Sequence, residues 1–377
     1  MLATAVEAVR SVAATEWDGL VAPGDLFCGH AWLRHLDEAV APHSAVLVRR
    51  AGVLAAALPL WDASHEEGTL FRLPELFPHV PELGRADLLW AGARRAVRNG
   101  VLSETGPTRS ATLRHLLAAS VDHARECRRD GVIVPYLPVR TARELAAAHP
   151  HASLLLHSAE ATVHIPQDPA SDPQPPTTGH NRKRRRRELR DFAATGHTLE
   201  WTGLTTEVAD RVAPLIANTR AKHGSTGGVA WMRRIFDAQR RAGLDAAAAT
   251  LLCRREDALV AAAVCYRHGN SLHGRYFGAD ESAGRAGAAY FVTTCHAPVV
   301  YARAHGLHRV HLSTSALEAK VRRGATVEPL AAVVLLDRDR LHPHTVEAHN
   351  RKFAAGHRDR FSDYAALLDP RWLDFID

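Results

Sequence analysis

The chain has 377 residues, 46% of them apolar and 23% charged, which is the make-up of a globular protein with enough core for two domains and excludes a single small module. Residues 182 to 190 hold seven Lys or Arg and one acid, a local +6, and the whole chain also sums to +6; the basic character is therefore local, pointing to an anionic partner at one place rather than a generally cationic surface. No run approaches the roughly 18 to 20 apolar residues of a membrane span, and "MLATAVEAVR" lacks the basic start and apolar run of a signal peptide, so a cytoplasmic protein without a membrane span is expected.

In chain order, "AVEAVRS" and "HSAVLVRRAGVLAAALPLW" read as strands, the second a hairpin turning near Ala51 and Gly52. Between them "FCGHAWLRHLDEAV" carries Phe27, Trp32, Leu33, Leu36 and Val40 at helical spacing. "TRSATLRHLLAASVDHARECRRDG" predicts an amphipathic helix ending at Gly131, followed by the short strand "VIVPYLP". Five prolines within residues 165–179 prevent regular structure and predict a linker. The expected organisation is a first domain over 1–164, the linker over 165–179 and a second domain over 180–377.

After the linker come a basic helix, "KRRRRELRDFAATG", the strand "HTLEW" and the helix "TEVADRVAPLIANTRAKHG". "AATLLCRRED", "ALVAAAVCYRHGN" and "SLHGRYFGAD" predict a three-strand meander turning at Glu256-Asp257 and Gly269-Asn270. A helix from about Ala286 to Ala304, the strand "HRVHLST", a short helix "ALEAKVRRG" ended by Gly324, the strand "PLAAVVLLDRD" and a helical tail near "FSDYAALLDP" complete the chain. As a helix, residues 182–190 make about two and a half turns that spread Arg182, Lys183, Arg184, Arg185, Arg186, Arg187 and Arg190 around most of its circumference, with Leu189 and Phe192 marking the buried side. Such charges need solvent or phosphate on one flank: the helix is either a phosphate-binding face or a solvated cationic one.

Five cysteines, odd in number and scattered without a CxxC pair, suggest neither a disulfide framework nor a thiolate zinc site and are expected to be reduced and mostly buried. "HPHTVEAH" places His342, His344 and His349 close together, but no HExxH spacing occurs, and solvated loop histidines are favoured there over a metal site. No metal is expected.

The turn and helix start in "ADESAGRAGAAYF" form a candidate anion site, since backbone N–H groups at a helix N-terminus favour negative charge. Here the sequence resembles the GNAT acyltransferase fold, whose acyl-CoA loop has Arg or Gln, then Gly, then Gly or Ala. Glu281, Gly284 and Ala286 occupy those places; Gly284 and Ala286 match, whereas Glu281 puts a carboxylate where a cation or amide belongs. Over some 300 residues, "EWDGLV", "LFCGHAWLRHLDE", "RKRRRRELRDFAATG", "AKHG", "LHGRYFGADE", "AYFVTTCHAPVVYARAHGL" and "KVRRGATVEPL" resemble, in their order, the Fem-type transferases.

That resemblance implies a mixed α/β chain of two tandem GNAT-like domains, each a mostly antiparallel sheet flanked by helices. It implies transfer of an aminoacyl group from tRNA to an amine or hydroxyl, with aminoacyl-tRNA as co-substrate, no resident cofactor and no DNA partner. Arg182 to Arg187 and Arg190 would then meet the tRNA backbone, adding affinity more than discrimination. Lys320 falls where Fem-type enzymes carry a lysine near the reacting carbonyl and is the expected catalytic residue, against the alternative of an exposed helix lysine; an oxyanion needs such a preorganised donor. Arg323 would bind the tRNA terminus or pin its helix. Ser313 and Thr314 would orient substrate or cap that helix. Strand alternation sends Arg275 and Tyr276 to opposite faces, one into the cleft. Asp280 and Glu281 are the nearest carboxylates for proton transfer. Lys222 would contact acceptor or phosphate, or serve as a C-terminal helix cation.

No GxSxG, P-loop or Cys/His nucleophile pair indicates a covalent intermediate, so direct transfer is expected. No heptad pattern long enough for the coiled-coil arm of staphylococcal Fem proteins occurs in the chain, and the first half has no basic cluster for a nucleotide-linked precursor. Both points favour a small-metabolite acceptor, as in antibiotic biosynthesis, over a peptidoglycan precursor. The alternatives are an acyl-CoA N-acyltransferase, using Gly284 and Ala286, and a non-catalytic RNA-binding protein.

Overall fold

Ala51 and Gly52 both take positive φ, 48° and 86°, the pairing whose twist matches a tight hairpin, and they close the expected turn between two apolar strands. The computed structural model describes residues 2–63, 66, 69–167, 179–280, 287–337 and 340–376. These fall into two compact units, residues 1–159 with 328–377 and residues 160–327. The fold is mixed α/β.

The first unit starts with β1 (Leu2–Ala8), helix α1 (His30–Ala39), β2 (Ser44–Arg50), β3 (Val53–Trp61), β4 (Leu88–Ala91), β5 (Leu102–Ser103), α2 (Arg109–Glu126), β6 (Gly131–Pro138) and α3 (Val139–Ala147). Helix α2 stops five residues before Gly131, where Arg128 turns the chain with φ of 58°. Strands β1 to β4 pair antiparallel in sequence, with β5 off to the side on β3. Strand β4 then pairs parallel with β6 through Leu88↔Gly131, Leu89↔Val132 and Trp90↔Ile133.

Strand β7 (Ser153–His164) ends the first half of the sequence. Of the expected linker, residues 168–178 lie outside the described residues, and Gly179 already begins a helix. The second unit comprises α4 (Gly179–Ala194), β8 (His197–Thr202), α5 (Thr206–Lys222), α6 (Gly228–Arg241), β9 (Ala248–Arg255), β10 (Ala258–His268), β11 (Ser271–Ala279), α7 (Gly287–Phe291), α8 (Ala297–Ala304), β12 (Arg309–His311) and α9 (Leu317–Val321). A single π-turn, Val292–His296, joins α7 to α8, so the helix expected from Ala286 to Ala304 runs on with one widened turn. Helix α6 was not anticipated from the sequence. Strands β8 to β11 form an antiparallel meander, with Glu256 and Gly269 at positive φ in its two expected turns. Strand β12 lies parallel to β11 on one side and antiparallel to Thr162–His164 of β7 on the other.

Helix α5 packs so closely on β11 that a Cβ at Gly278 would stand 2.3 Å from the backbone of Leu215 and Ile216. Only glycine fits there.

The chain ends with β13 (Thr326–Leu336) and α10 (Pro343–Arg360). Residues 328–377, expected with the second domain, lie with the first unit. The reason is strand pairing: β13 runs antiparallel to β6 from Leu330↔Pro138 to Leu336↔Gly131. Gly131 has φ of 153° and a Cβ there would meet Leu335 O at 2.0 Å. Each unit thus takes one strand from the other half of the sequence, β13 in the first and the end of β7 in the second.

Where loop histidines were expected, α10 forms. His342 caps it, His344 is exposed within it, and buried His349 donates from Nε2 to Leu156 O at 2.7 Å. Pro343 at the first helical position suits a helix start. The tail from Ser362 is a pair of 3₁₀ segments. Among the described residues no group of three or more His, Cys, Asp or Glu is placed to hold a metal ion, and no helix is long and apolar enough to cross a membrane.

Candidate functional site

Parallel pairing of β11 with β12 covers three residue pairs, Ser271↔Arg309, Leu272↔Val310 and His273↔His311. Beyond them the strands follow different partners. β11 stays with β10 as far as Ala279, while the chain after His311 stays with β7, Leu312 N–H donating to Ala161 O at 2.8 Å and Ala161 N–H to Ser313 O at 3.1 Å. A splay therefore opens in the sheet past His273 and His311. Two features mark its rims. On β11, Cys265 pairs with Gly274 and Val264 with Tyr276, so Arg275 is the extra residue of a β-bulge. Across from it, Ser313 and Ala316 hold left-handed backbone, φ 69° and 49°, a conformation non-glycine residues keep only when their surroundings impose it.

Lys320 supplies part of that imposition. Its side chain is buried, and Nζ donates to the carbonyls of Leu312 and, at 2.6 Å, Ser315. The lysine is thus folded inward, unlike an exposed helix lysine. Burial pulls its amine down from the usual lysine range to about 8, while Cys295 and Glu160 favour the charged form. Cys295, brought inward by the π-turn, has its thiol raised by burial, opposed by a Thr294 hydrogen bond and by the charges of Lys320 and Arg323. Single π-turns of this kind recur at functional sites.

Behind the splay lies a polar cluster that sequence reasoning missed. His311 Nδ1 is 3.1 Å from Glu160 Oε1, and the rings of His311 and His273 stack at 4.4 Å with 14° between planes. All three residues are buried. The available signal was a histidine in each of two neighbouring strands and a lone acid in "LLLHSAEATVH".

Arg323 neither reaches solvent nor stands apart. Its Nε donates to Glu188 Oε2 at 3.1 Å, its Nη2 donates to Glu188 Oε1, and its Nη1 donates to Ala319 O at 2.5 Å. Its guanidinium carbon lies 3.1 Å from the centroid of the Phe291 ring. Of its two expected roles, the observed contacts are those of pinning its helix. Glu188 Oε2 also accepts from His296 Nε2 at 2.9 Å. Burial raises the Glu188 carboxyl, but the His296 hydrogen bond and the Arg323 charge outweigh it and hold the group below its ordinary value.

The remaining sequence-predicted residues scatter. Tyr276 borders α6, receiving a 3.4 Å bond from Gln239 Nε2 and packing edge-on against Phe236. Arg275 lies 5.4 Å from the Tyr276 ring centroid, because the bulge interrupts the alternation that would separate them. Asp280 donates its N–H to Val260 O at 2.8 Å as β11 ends. Ser313 and Thr314 precede the α9 cap position, which Ala316 occupies without a side-chain bond, so neither caps that helix. Lys222 is exposed in the last turn of α5. Glu281, Gly284 and Ala286 lie outside the described residues.

On α4 the buried positions are Asn181 and Phe192, with Glu188 half-buried between them, whereas Leu189 is 42% exposed. The inward stripe is thus 181, 184, 185, 188 and 192, and Leu189, expected inside, falls off it. A carboxylate bonded to both Arg323 and His296 outranks one leucine in deciding which face docks. Arg182, Lys183, Arg186, Arg187 and Arg190 face outward, and Arg184 and Arg185 are half-buried.

Residues 177–363 match the family model FemAB-like, described as peptidoglycan biosynthesis/recognition. No curated protein matches the sequence. Among solved structures, FemX superposes with a TM-score of 0.58 at 12% identity, covering 87% of this chain and 97% of that one. The C-terminal domain of a putative lysylphosphatidylglycerol synthetase from Agrobacterium fabrum gives 0.56 at 12%, covering 85% and 91%. A tandem GNAT protein from the clavulanic acid biosynthesis pathway gives 0.51 at 15%, covering 90% and 99%. At such identities the likeness is one of fold.

Proposed function

From the premise that residues 177–363 are FemAB-like and the chain has the Fem-type GNAT fold, we propose that this protein is an aminoacyltransferase that takes its aminoacyl group from tRNA and passes it directly to an amine or hydroxyl of a small metabolite. The observation that carries this reading is the splay between β11 and β12 with a buried lysine cation at its edge. Attack on an ester carbonyl builds negative charge on oxygen, and a preorganised cation in a dry site stabilises that charge far better than water does. Lys320 is the catalytic residue in this scheme. The acceptor's nitrogen or oxygen bonds to the carbonyl carbon, the bond to the tRNA ribose oxygen breaks, and the departing ribose oxygen takes the proton that the acceptor loses. No covalent enzyme intermediate is required.

The outward cations of α4 suit the phosphate backbone of the donor, giving affinity without sequence reading. Arg275, Tyr276, Ser313, Thr314 and Asp280 are proposed to line the substrate side of the splay, and Lys222 to meet acceptor or phosphate. The longest helices among the described residues have 18 residues, so no long coiled-coil arm is described. This supports a small acceptor over a cell-wall precursor, although the family description keeps a peptidoglycan acceptor as the second reading. Incubation with separately labelled donors tests the proposal: ribonuclease-sensitive transfer from charged tRNA supports it, and full activity with acyl-CoA alone overturns it. A Lys320→Ala variant that binds RNA with no activity to lose would identify a non-catalytic RNA-binding protein instead.

A further inference from the structure

We propose that Glu188 is a positioning residue, a latch through which the cationic helix α4 is fixed to the Lys320 segment, so that gripping a polyanion and setting the reacting cation are one mechanical unit. This rests on the reading above in assigning RNA to α4 and oxyanion stabilisation to Lys320; the contacts themselves do not depend on it.

A solvated cationic helix needs no acid on its inner face, since a carboxylate removed from water is unfavourable unless it is paired. Glu188 is paired three times. It accepts two bonds from the fork of Arg323, the geometry that fixes orientation as well as distance, and a third from His296.

Both partners lead to Lys320. Arg323 N–H donates to Lys320 O at 2.9 Å, and Arg323 Nη1 holds Ala319 O, so the guanidinium and backbone of Arg323 grip the helix on both sides of the lysine. His296 ends the π-turn whose preceding residue, Cys295, is buried in the electrostatic reach of the Lys320 amine. Phe192, one turn further along α4, packs with Val292 and Ala289 from the same helical run. Movement of α4 is therefore transmitted to α9 through a continuous set of hydrogen bonds and packed side chains, which is the physical requirement for coupling.

The test separates grip from positioning. With charged tRNA as donor, Glu188→Gln is expected to lower kcat by on the order of tenfold to a hundredfold, as small misplacements of a reacting group do, with KM for tRNA unchanged. Replacing outward Arg186 and Arg187 by Ala is expected to raise KM with kcat unchanged. Equal kcat per folded molecule in Glu188→Gln and wild type overturns the proposal.

An activity-independent arm uses hydrogen exchange with uncharged tRNA. Wild type is expected to slow exchange in both 182–190 and 317–323, and Glu188→Gln in 182–190 alone. Slowing at 317–323 that persists in the variant, or is missing in wild type, overturns the latch. If wild type transfers nothing from charged tRNA but shows the expected exchange pattern, the aminoacyltransferase reading fails and the latch stands. Should Glu188→Gln not fold, Arg323→Lys retains the charge, loses the fork and is expected to give the same pattern.

Discussion

Both units contain the same topological passage: an antiparallel run of strands, then a parallel pair joined over three residues, then an antiparallel closing strand. In the first unit the parallel pair ends at Trp90 and Ile133, inside a cluster with Trp61, Phe71 and Tyr136; Trp61 and Trp90 lie 5.4 Å apart and Phe71 caps Trp90 edge-on at 5.8 Å. In the second it ends at His273 and His311, with Glu160 and Lys320 behind. One architecture is plugged with aromatic rings and the other is left polar. The first unit also buries ionisable groups, His157 against Tyr136 and Arg94 with Glu66 among them, so the contrast is confined to the residues that end the two parallel pairs, and the proposed chemistry is placed at the polar pair of the second unit.

That contrast predicts two different kinds of damage. Lys320→Ala should reduce transfer by about 100-fold or more, the usual loss on removing an oxyanion donor, with near-ultraviolet circular dichroism unchanged. Trp90→Ala should do the reverse, destabilising by about 3–5 kcal/mol in denaturant unfolding while activity per folded molecule persists; a specific loss of turnover there would erase the distinction. Gly278→Ala, which forces α5 off β11, should destabilise by about 1–3 kcal/mol or more, with larger aliphatic residues worse. The pH profile sharpens the comparison further. Lys320 is held down to about 8, so its cation is present below that pH and lost above it; with a hydroxyl acceptor, turnover should fall as pH rises through about 8, and Lys320→Arg should remove that limb if any activity survives. Smallest is the salt effect: Arg186→Ala with Arg187→Ala should cut the slope of log affinity against log salt for tRNA by about 2, leaving stability unaltered.

Local features were legible in the sequence. The Ala51-Gly52 turn, the meander with its Glu256 and Gly269 corners, the basic helix and the α9 stop at Gly324 each depend on residues a few positions apart. Lys320 was found through a family resemblance rather than through its surroundings, and its inward fold depends on the carbonyls of Leu312 and Ser315, which no motif announces. What sequence reading could not supply is pairing across long separations. Glu188 looked like an interruption of a basic run because its partners, His296 and Arg323, lie 108 and 135 residues away. Likewise His311 gains meaning from Glu160, 151 residues earlier. Helix α10 is hard to read in the sequence because its histidines look like isolated polar groups, whereas His349 and Asn350 are buried packing and hydrogen-bonding positions.

The exchange of closing strands has a consequence for biosynthesis. While the ribosome is still making the middle of the chain, β6 has emerged but β13, its partner, is nearly two hundred codons away, so β6 waits with an open edge until that strand is made. Cutting the gene at the proline-rich stretch would accordingly yield two fragments, each missing a strand that the other encodes, and they should recover solubility only when co-expressed.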